Sequence, residues 1–176
     1  MALLAEELVE EWLNRKGYFT IRGVKVGVDE IDILAVKFQD PKNIDCRHIE
    51  VQASMRPIGY ISRIPKKHLN QGQAATSAAK RSDNVLKEGV SEWVEKKYNK
   101  IKKTKLLETL FPSQWSKYLV HNNVKSEKEL EYIAAEGIRL IPLTDIIKEL
   151  NEKEFEVKSA SGADFADLIQ LAAKSV

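Results

Sequence analysis

The chain has 176 residues, of which 43% are hydrophobic and 31% are charged. This length and composition favour one globular domain spanning residues 1–176 and exclude a disordered or fibrous protein. The net charge of +2 is close to neutral, so bulk charge alone does not indicate a nucleic-acid-binding protein.

The sequence predicts neither a membrane-spanning helix nor an intramolecular disulfide bond. No apolar run approaches the roughly 18 to 20 residues that a membrane-spanning helix requires. The first residues gain carboxylates within one helical turn and lack a basic leader, so no signal peptide is predicted and a cytoplasmic protein is expected. Cys46 has no second cysteine to pair with, and no Cys/His spacing indicates a zinc site.

The first part of the chain is predicted to form a helix followed by three strands. Residues 2–16 carry apolar side chains at helical spacing and precede Gly17, a typical helix stop. The predicted strands cover residues 18–22, 29–37 and 47–53. The second of them is mostly apolar and is expected to be buried on both faces. Residues 23–27 are expected to form a turn or an irregular continuation of the first strand.

The rest of the chain is predicted to alternate between helices and strands. A loop is expected at residues 55–64, where prolines and Gly59 occur. Helices are predicted at residues 66–80, 83–98, 126–136, 144–150 and 162–174. Strands are predicted at residues 115–121 and 138–142. The overall order, α-β-β-β-α-β-α-β-α, indicates an α/β domain with a mixed sheet.

Acidic and polar side chains recur at strand spacing in the second and third predicted strands. Glu30 and Asp32 share one face, and so do His48, Glu50 and Gln52, because alternate residues of a strand point the same way. If the two strands are neighbours, Asp32 and Glu50 converge on one cation, and Mg²⁺ is suited to one or two carboxylates plus water. The alternative is that these carboxylates only face solvent. Asp32 lies within an apolar run, where a carboxylate requires compensation, and this favours the cation site.

Taken together, these segments resemble a known enzyme superfamily. An acidic helix ending in Gly-Tyr, then DEIDILA at 29–35 and IEVQ at 49–52, resembles the PD-(D/E)xK nucleases. These include restriction endonucleases and Holliday-junction resolvases. The resemblance covers residues 5–54. It implies a restriction-endonuclease-like α-β-β-β-α-β core with a mixed central sheet flanked by helices, hydrolysing DNA phosphodiester bonds with Mg²⁺ or Mn²⁺. It also implies a possible homodimer, since two strands require two cuts.

The resemblance assigns roles to individual residues. Asp32 and Glu50 match the metal-binding acidic residues, and the carbonyl of Val51 is implied as a third ligand. Glu7 is similar in position to the glutamate that many members carry on their first helix. Glu6 is nearly as good a match, and a solvated helix face is the alternative for both.

Gln52 stands where the superfamily usually has a lysine that helps to orient or activate the attacking water. A glutamine can hold that water by hydrogen bonds but brings no positive charge. A lysine from elsewhere, such as Lys66 or Lys67, is a candidate replacement. The alternative function is therefore a catalytically weak or inactive nucleic-acid-binding accessory protein. A protein-interaction module with solvated carboxylates is a third possibility.

Lysines are concentrated between residues 96 and 105, where six occur in ten residues. Lysines that contact phosphates supply sequence-independent affinity for nucleic acid, which the resemblance implies to be DNA. The candidate phosphate contacts are Lys66, Lys67, Lys96, Lys97, Lys100, Lys102 and Lys103. The alternative is a solvated helix end, where cations interact favourably with the helix dipole. Trp12, Trp93 and Trp115 are expected to be core residues.

Overall fold

A five-stranded mixed sheet flanked by helices forms the structure, a computed structural model that describes residues 2–40 and 43–152. The strands are β1 (Phe19–Val26), β2 (Asp29–Asp40), β3 (Asn43–Ile58), β4 (Trp115–Val124) and β5 (Arg139–Pro142). The helices are α1 (Ala2–Arg15), α2 (Asp83–Val94), α3 (Ile101–Leu110), α4 (Glu127–Ala135) and α5 (Leu143–Glu152). The predicted mixed α/β architecture is therefore confirmed.

The strands follow chain order across the sheet, β1-β2-β3-β4-β5. The first three form an antiparallel meander, whereas β4 pairs parallel to β3 and β5 pairs parallel to β4. The long connection from β3 to β4 carries α2 and α3, as a parallel crossover requires. The central strand is β3, so a side chain at its middle is enclosed by neighbours on both edges.

Each face of the sheet is covered by its own hydrophobic cluster. On one face, α1 and α5 pack on the strands through residues that include Val9, Leu13 and Ile146. On the other face, α2, α4 and the segment after α2 contribute Val90, Ile133 and neighbouring residues. The apolar spacing that predicted α1 is the stripe that this helix buries against the sheet.

The backbone pairing between β2 and β3 ends near the predicted acidic residues. Their backbone register runs from Asp40 opposite Asn43 to Ile33 opposite Ile49. Beyond that point, the side chain of Asp32 replaces the backbone partner, since its Oδ2 accepts a hydrogen bond of 2.7 Å from the Val51 amide. The two strands therefore separate at the position where acidic residues were predicted.

Several predicted elements were wrong or shifted. The helix predicted at residues 66–80 does not form: only a 3₁₀ turn, Lys66–His68, is present, followed by irregular chain. Asn70, a left-handed Gly72 and polar residues leave no apolar stripe for a helix to bury there. β3 continues to Ile58, into the predicted loop at 55–64.

The basic segment after α2 also differs from its prediction. The predicted helix 83–98 consists of α2 and a π-helical segment, Glu95–Asn99. Lys100 then adopts an extended conformation, with φ −54° and ψ 130°, before α3, which was not predicted, begins. The predicted helix at 162–174 lies outside the described residues. Among the helices of the described ranges, none combines the length and apolarity needed to cross a bilayer.

Candidate active site

Asp32 and Glu50 lie on adjacent strands at the point where β2 and β3 separate. Glu50 is completely buried at the middle of the central strand, and Asp32 has a side chain that is 13% exposed. The hydrogen bond from the Val51 amide fixes one oxygen of Asp32, leaving Oδ1 directed away from the strand pairing. The two carboxylates were predicted to converge on a cation, and the structure brings both to one ammonium group.

That ammonium group belongs to Lys97, in the π-helical segment after α2. Its Nζ contacts Glu50 Oε2 directly and lies 4.0 Å from Asp32 Oδ1. A π-helical turn contains an extra residue, which changes the direction of the side chains that follow it. Lys97 therefore points to the sheet, while the flanking Lys96 remains exposed. The cluster of Asp32, Glu50 and Lys97 is here called the acidic site.

A second lysine and a histidine also contact the carboxylate of Glu50. Lys103, which is only 1% exposed, places its Nζ 3.3 Å from Glu50 Oε1. The same Nζ donates 2.7 Å hydrogen bonds to the carbonyls of Glu30 and Lys97, so it ties α3 to β2 and to the π-helical segment. His48 Nε2 lies 3.1 Å from Glu50 Oε1. Glu50 is thus fixed by three side chains.

The ionisation of the site differs sharply between its two carboxyl groups. Burial, reinforced by the charge of Glu50, raises the pKa of Asp32 to about 7. Burial also opposes ionisation of Glu50, but the His48 hydrogen bond and the charges of Lys97 and Lys103 outweigh it and lower its pKa. Glu50 therefore remains ionised, whereas Asp32 can gain or lose a proton near neutral pH.

The pKa values of the basic groups in the cluster are shifted in opposite directions. Burial opposes the charge of Lys97, but the carboxylates of Glu50 and Asp32 outweigh it and raise its pKa. Burial lowers the pKa of Lys103 and that of His48. A neutral His48 donates its Nε2 proton to Glu50, and among the described residues its buried Nδ1 has no hydrogen-bond partner. The positive charge nearest the open side of the site is therefore that of Lys97.

On α1, Glu6 is a glutamate whose pKa is affected by the charges of the acidic site. Burial and the charge of Glu30 raise the pKa of Glu6, and the charges of Lys97 and Glu50 also act on it. Glu7, the predicted residue, instead forms an ion pair of 3.3 Å with Arg22 on β1. One position along a helix rotates a side chain by about 100°, which is why neighbouring glutamates face different surroundings.

Gln52 lies two residues beyond Glu50 on the same face of β3 and lines a cavity of about 380 Å³. Lys97 lines the same cavity and contacts Glu50, so this side chain joins the cavity to the acidic site. The predicted water-holding residue therefore lines the cavity together with a lysine. The predicted replacements, Lys66 and Lys67, lie elsewhere: both are exposed, and Lys67 pairs with Glu88 at 3.0 Å.

The predicted phosphate-binding lysines fall into two groups. Lys97 and Lys103 are part of the buried cluster, and Lys100 pairs with Asp29 at 2.6 Å. The remaining exposed lysines of the predicted surface, which form no ion pair with another described residue, are Lys66, Lys96 and Lys102. Buried Lys103 has no access to a phosphate. The basic run therefore contributes two lysines to the ion pairs of Glu50, besides the exposed lysines that a nucleic acid could contact.

Three functional contacts were not predicted: those of Lys97 with the carboxylates, and those of His48 and Lys103 with Glu50. His48 was detectable, because it shares a strand face with Glu50. No signal in the basic run distinguishes Lys97 and Lys103, which contact Glu50, from the four other lysines around them. Their placement depends on the π-helical turn and on the break at Lys100.

Comparison with known proteins leaves the family of this chain open. No family model matches the sequence, and no curated protein matches it. A crystal structure of AF1548, a protein of unknown function, superposes with a TM-score of 0.49 and 12% identity, covering 99% of this chain and 97% of the other.

Proposed function

We propose that the protein is a metal-dependent nuclease that hydrolyses DNA phosphodiester bonds. The observation that carries this proposal is the position of Lys97, whose ammonium contacts Glu50 and lies 4.0 Å from Asp32. The resemblance to PD-(D/E)xK nucleases implies two acidic residues and a lysine. Gln52 stands at the strand position where that lysine is expected. Lys97 supplies it from a helix instead of from the strand.

The order of elements supports the same assignment. The chain runs α1, an antiparallel meander of three strands, a helical crossover and then β4 parallel to β3. This is the α-β-β-β-α-β order of the restriction-endonuclease-like core that the resemblance implies. The acidic residues lie on the second and third strands, as that core requires.

The donor set of the acidic site fits a divalent cation that needs few protein ligands. Asp32 Oδ1 and Glu50 Oε2 already converge on a positive group, the ammonium of Lys97. Mg²⁺ and Mn²⁺ bind with one or two carboxylates, the other positions being taken by water and substrate phosphate. Asp32, Glu50 and the Val51 carbonyl would hold the metal, which supplies polarisation of a phosphoryl oxygen and a more acidic water.

The protein's own groups have distinct tasks in such a hydrolysis. A water oxygen forms a bond to phosphorus, the bond from phosphorus to the leaving sugar oxygen breaks, and that oxygen takes up a proton. Lys97 offers a positive charge to the phosphoryl oxygens as negative charge develops on them. Gln52 orients the water by hydrogen bonds, and the proton that the water loses passes to solvent.

A non-catalytic nucleic-acid-binding protein of the same fold is the second candidate, and one observation favours it. Lys97 and Lys103 neutralise Glu50 without any metal. Within residues 2–40 and 43–152, no group of three acidic, histidine or cysteine side chains is assembled for a metal ion. The same cluster can therefore serve as a structural ion-pair network.

The test is cleavage of labelled single-stranded and duplex DNA in Mg²⁺ or Mn²⁺ by the wild type, Asp32→Asn and Asp83→Asn. Asp83 lies on the surface at the start of α2 and serves as the matched control. We expect cleavage by the wild type and by the control, and a loss of at least 100-fold in Asp32→Asn. DNA binding without cleavage in all three proteins would replace the nuclease proposal by the second candidate.

A further inference from the structure

The cavity beside the acidic site is enclosed by two parts of the chain. One wall is formed by the segment after β3, including Tyr60 and Arg63, and the other by α2 and the π-helical segment, including Trp93 and Lys96. Its volume of about 380 Å³ falls within the range of sites that hold small organic ligands. Gln52 and Lys97 also line it, and Lys97 contacts Glu50 of the acidic site.

The walls of this cavity are fixed in the protein. Buried Glu129 on α4 accepts hydrogen bonds from the amides of Ile61 and Ser62 at 2.7 and 2.8 Å, and one from the Ser62 hydroxyl. At Gly89 on α2, a β-carbon would lie 2.7 Å from the Arg63 carbonyl oxygen, so the two walls are in direct contact there. A ligand therefore meets a preformed site.

The groups lining the cavity match the parts of one nucleotide. Arg63 and Lys96 are exposed cations at its rim, and neither forms an ion pair with another described residue. Trp93, expected in the core, is only partly buried and presents an aromatic surface to the cavity. Aromatic rings stack on bases and basic groups bind phosphates. Among the described residues that line the cavity, Glu92 is the single acidic one.

We propose that this cavity binds one unpaired nucleotide of the substrate, so that the protein acts on single-stranded DNA or on single-stranded ends and flaps. The inference rests on the proposed nuclease function, since it places that nucleotide next to the acidic site. A base held in a duplex is stacked on both faces and paired at its edge, so it reaches a closed cavity only after it has been unpaired. A single strand does not incur that cost.

The experiment measures binding of a fluorescent 12-nucleotide single strand and of its blunt duplex by anisotropy, in Ca²⁺ so that cleavage is suppressed. Wild type is compared with Thr76→Trp, which places a large ring in the cavity, and with Ala79→Trp, an exposed position of the same segment outside the cavity. Circular dichroism melts verify that both variants are folded, and Lys96→Glu at the rim replaces Thr76→Trp if that variant does not fold.

We expect the wild type and Ala79→Trp to prefer the single strand by at least tenfold, and Thr76→Trp to lose at least tenfold of that affinity. Equal affinity for single strand and duplex, or no effect of Thr76→Trp while cleavage persists, would overturn the cavity assignment and leave the nuclease proposal standing. Absence of both binding and cleavage would overturn the nuclease proposal itself.

Discussion

Asp32 is an acidic residue whose charge is opposed by its surroundings. Its pKa rises from an ordinary value of 3.8 to about 7, mainly because it is buried and secondarily because Glu50 is negative. The folded state therefore binds the Asp32 proton more tightly than the unfolded chain does between these two values. Stability from this group is fully present below about pH 4 and is lost as the pH rises to 7.

Replacing Asp32 by asparagine removes that loss, because the amide carbonyl still accepts from the Val51 amide. We expect the free energy of unfolding of the metal-free Asp32→Asn variant to increase relative to that of wild type as the pH rises, by roughly 3 kcal/mol between pH 4.5 and 8. Urea unfolding in EDTA at both pH values measures the difference. A constant difference across this range would show that Lys97 fully compensates the charge of Asp32.

Lys97 occupies the position that a divalent cation would take between the two carboxylates. The variant Lys97→Met removes the ammonium and leaves both oxygens available. We expect Mn²⁺ to bind Lys97→Met more tightly than wild type, while DNA cleavage falls at least 100-fold because the positive charge near the phosphate is lost. Calorimetric titration of Mn²⁺ and a cleavage assay measure the two effects separately.

The control for this substitution is Lys87→Met, an exposed lysine of α2 that does not line the cavity. Its metal affinity and cleavage rate should equal those of wild type. If Lys97→Met retains both properties at wild-type levels, Lys97 is only a structural partner of Glu50. Loss of Mn²⁺ binding along with cleavage would show that the ammonium organises the carboxylates and does not compete with the metal.

Among the elements, the segment between β3 and α2 depends most on a single side chain. It contains no regular structure except the turn Lys66–His68, yet Glu129 binds two of its amides and one hydroxyl. Glu129→Ala leaves these buried donors unpaired, and we expect a loss of about 2–3 kcal/mol in the free energy of unfolding. Glu131→Ala, on the exposed side of the same helix, is the control.

The local effect of this change is measured by amide hydrogen exchange. The amides of Ile61 and Ser62 should exchange at least tenfold faster in Glu129→Ala, while the amides of β3 retain their protection. If protection at Ile61 and Ser62 is unchanged, the segment is held by its contacts with α2 instead, such as that of the Arg63 carbonyl with Gly89.

The elements also show what the sequence could predict and why the rest was not accessible. α1, β2, β4 and β5 were predicted because each carries a regular apolar pattern that one or both of its faces buries. The predicted helix at 66–80 failed because alanines and polar residues have helix propensity but offer no apolar stripe to pack. Propensity without tertiary contact does not maintain a helix in water.

At the site, the strand residues were predictable and the helix residue was not. Asp32 and Glu50 were found because a carboxylate in an apolar strand is costly and requires a partner. Identification of Lys97 as that partner needed the three-dimensional path of the chain, since 46 intervening residues separate it from Glu50. A π-helical turn leaves no pattern in a run where most residues are lysine.

At the scale of the whole molecule, the predicted lysines offer fewer free charges to a nucleic acid than the sequence indicated, within the ranges that the structure describes. Of the seven predicted phosphate-binding lysines, two are in the buried cluster and two pair with surface carboxylates, so three remain. Arg63, at the cavity rim, adds a fourth cation. Each phosphate neutralised on a single strand contributes roughly −0.7 to the slope of log affinity against log salt concentration.

Four contacts predict a slope of about −3 for a single strand, whereas the seven lysines and Arg63 together would give roughly −5.5. Anisotropy titrations in Ca²⁺ at several NaCl concentrations measure this slope. Lys96→Glu should reduce its magnitude by about 0.7, and Lys87→Glu, with the same change in charge on α2, should leave it unchanged. A slope near −5.5 would mean that DNA breaks the ion pairs of all four lysines that are paired in the structure, because only then are the seven predicted lysines and Arg63 all neutralised by phosphates.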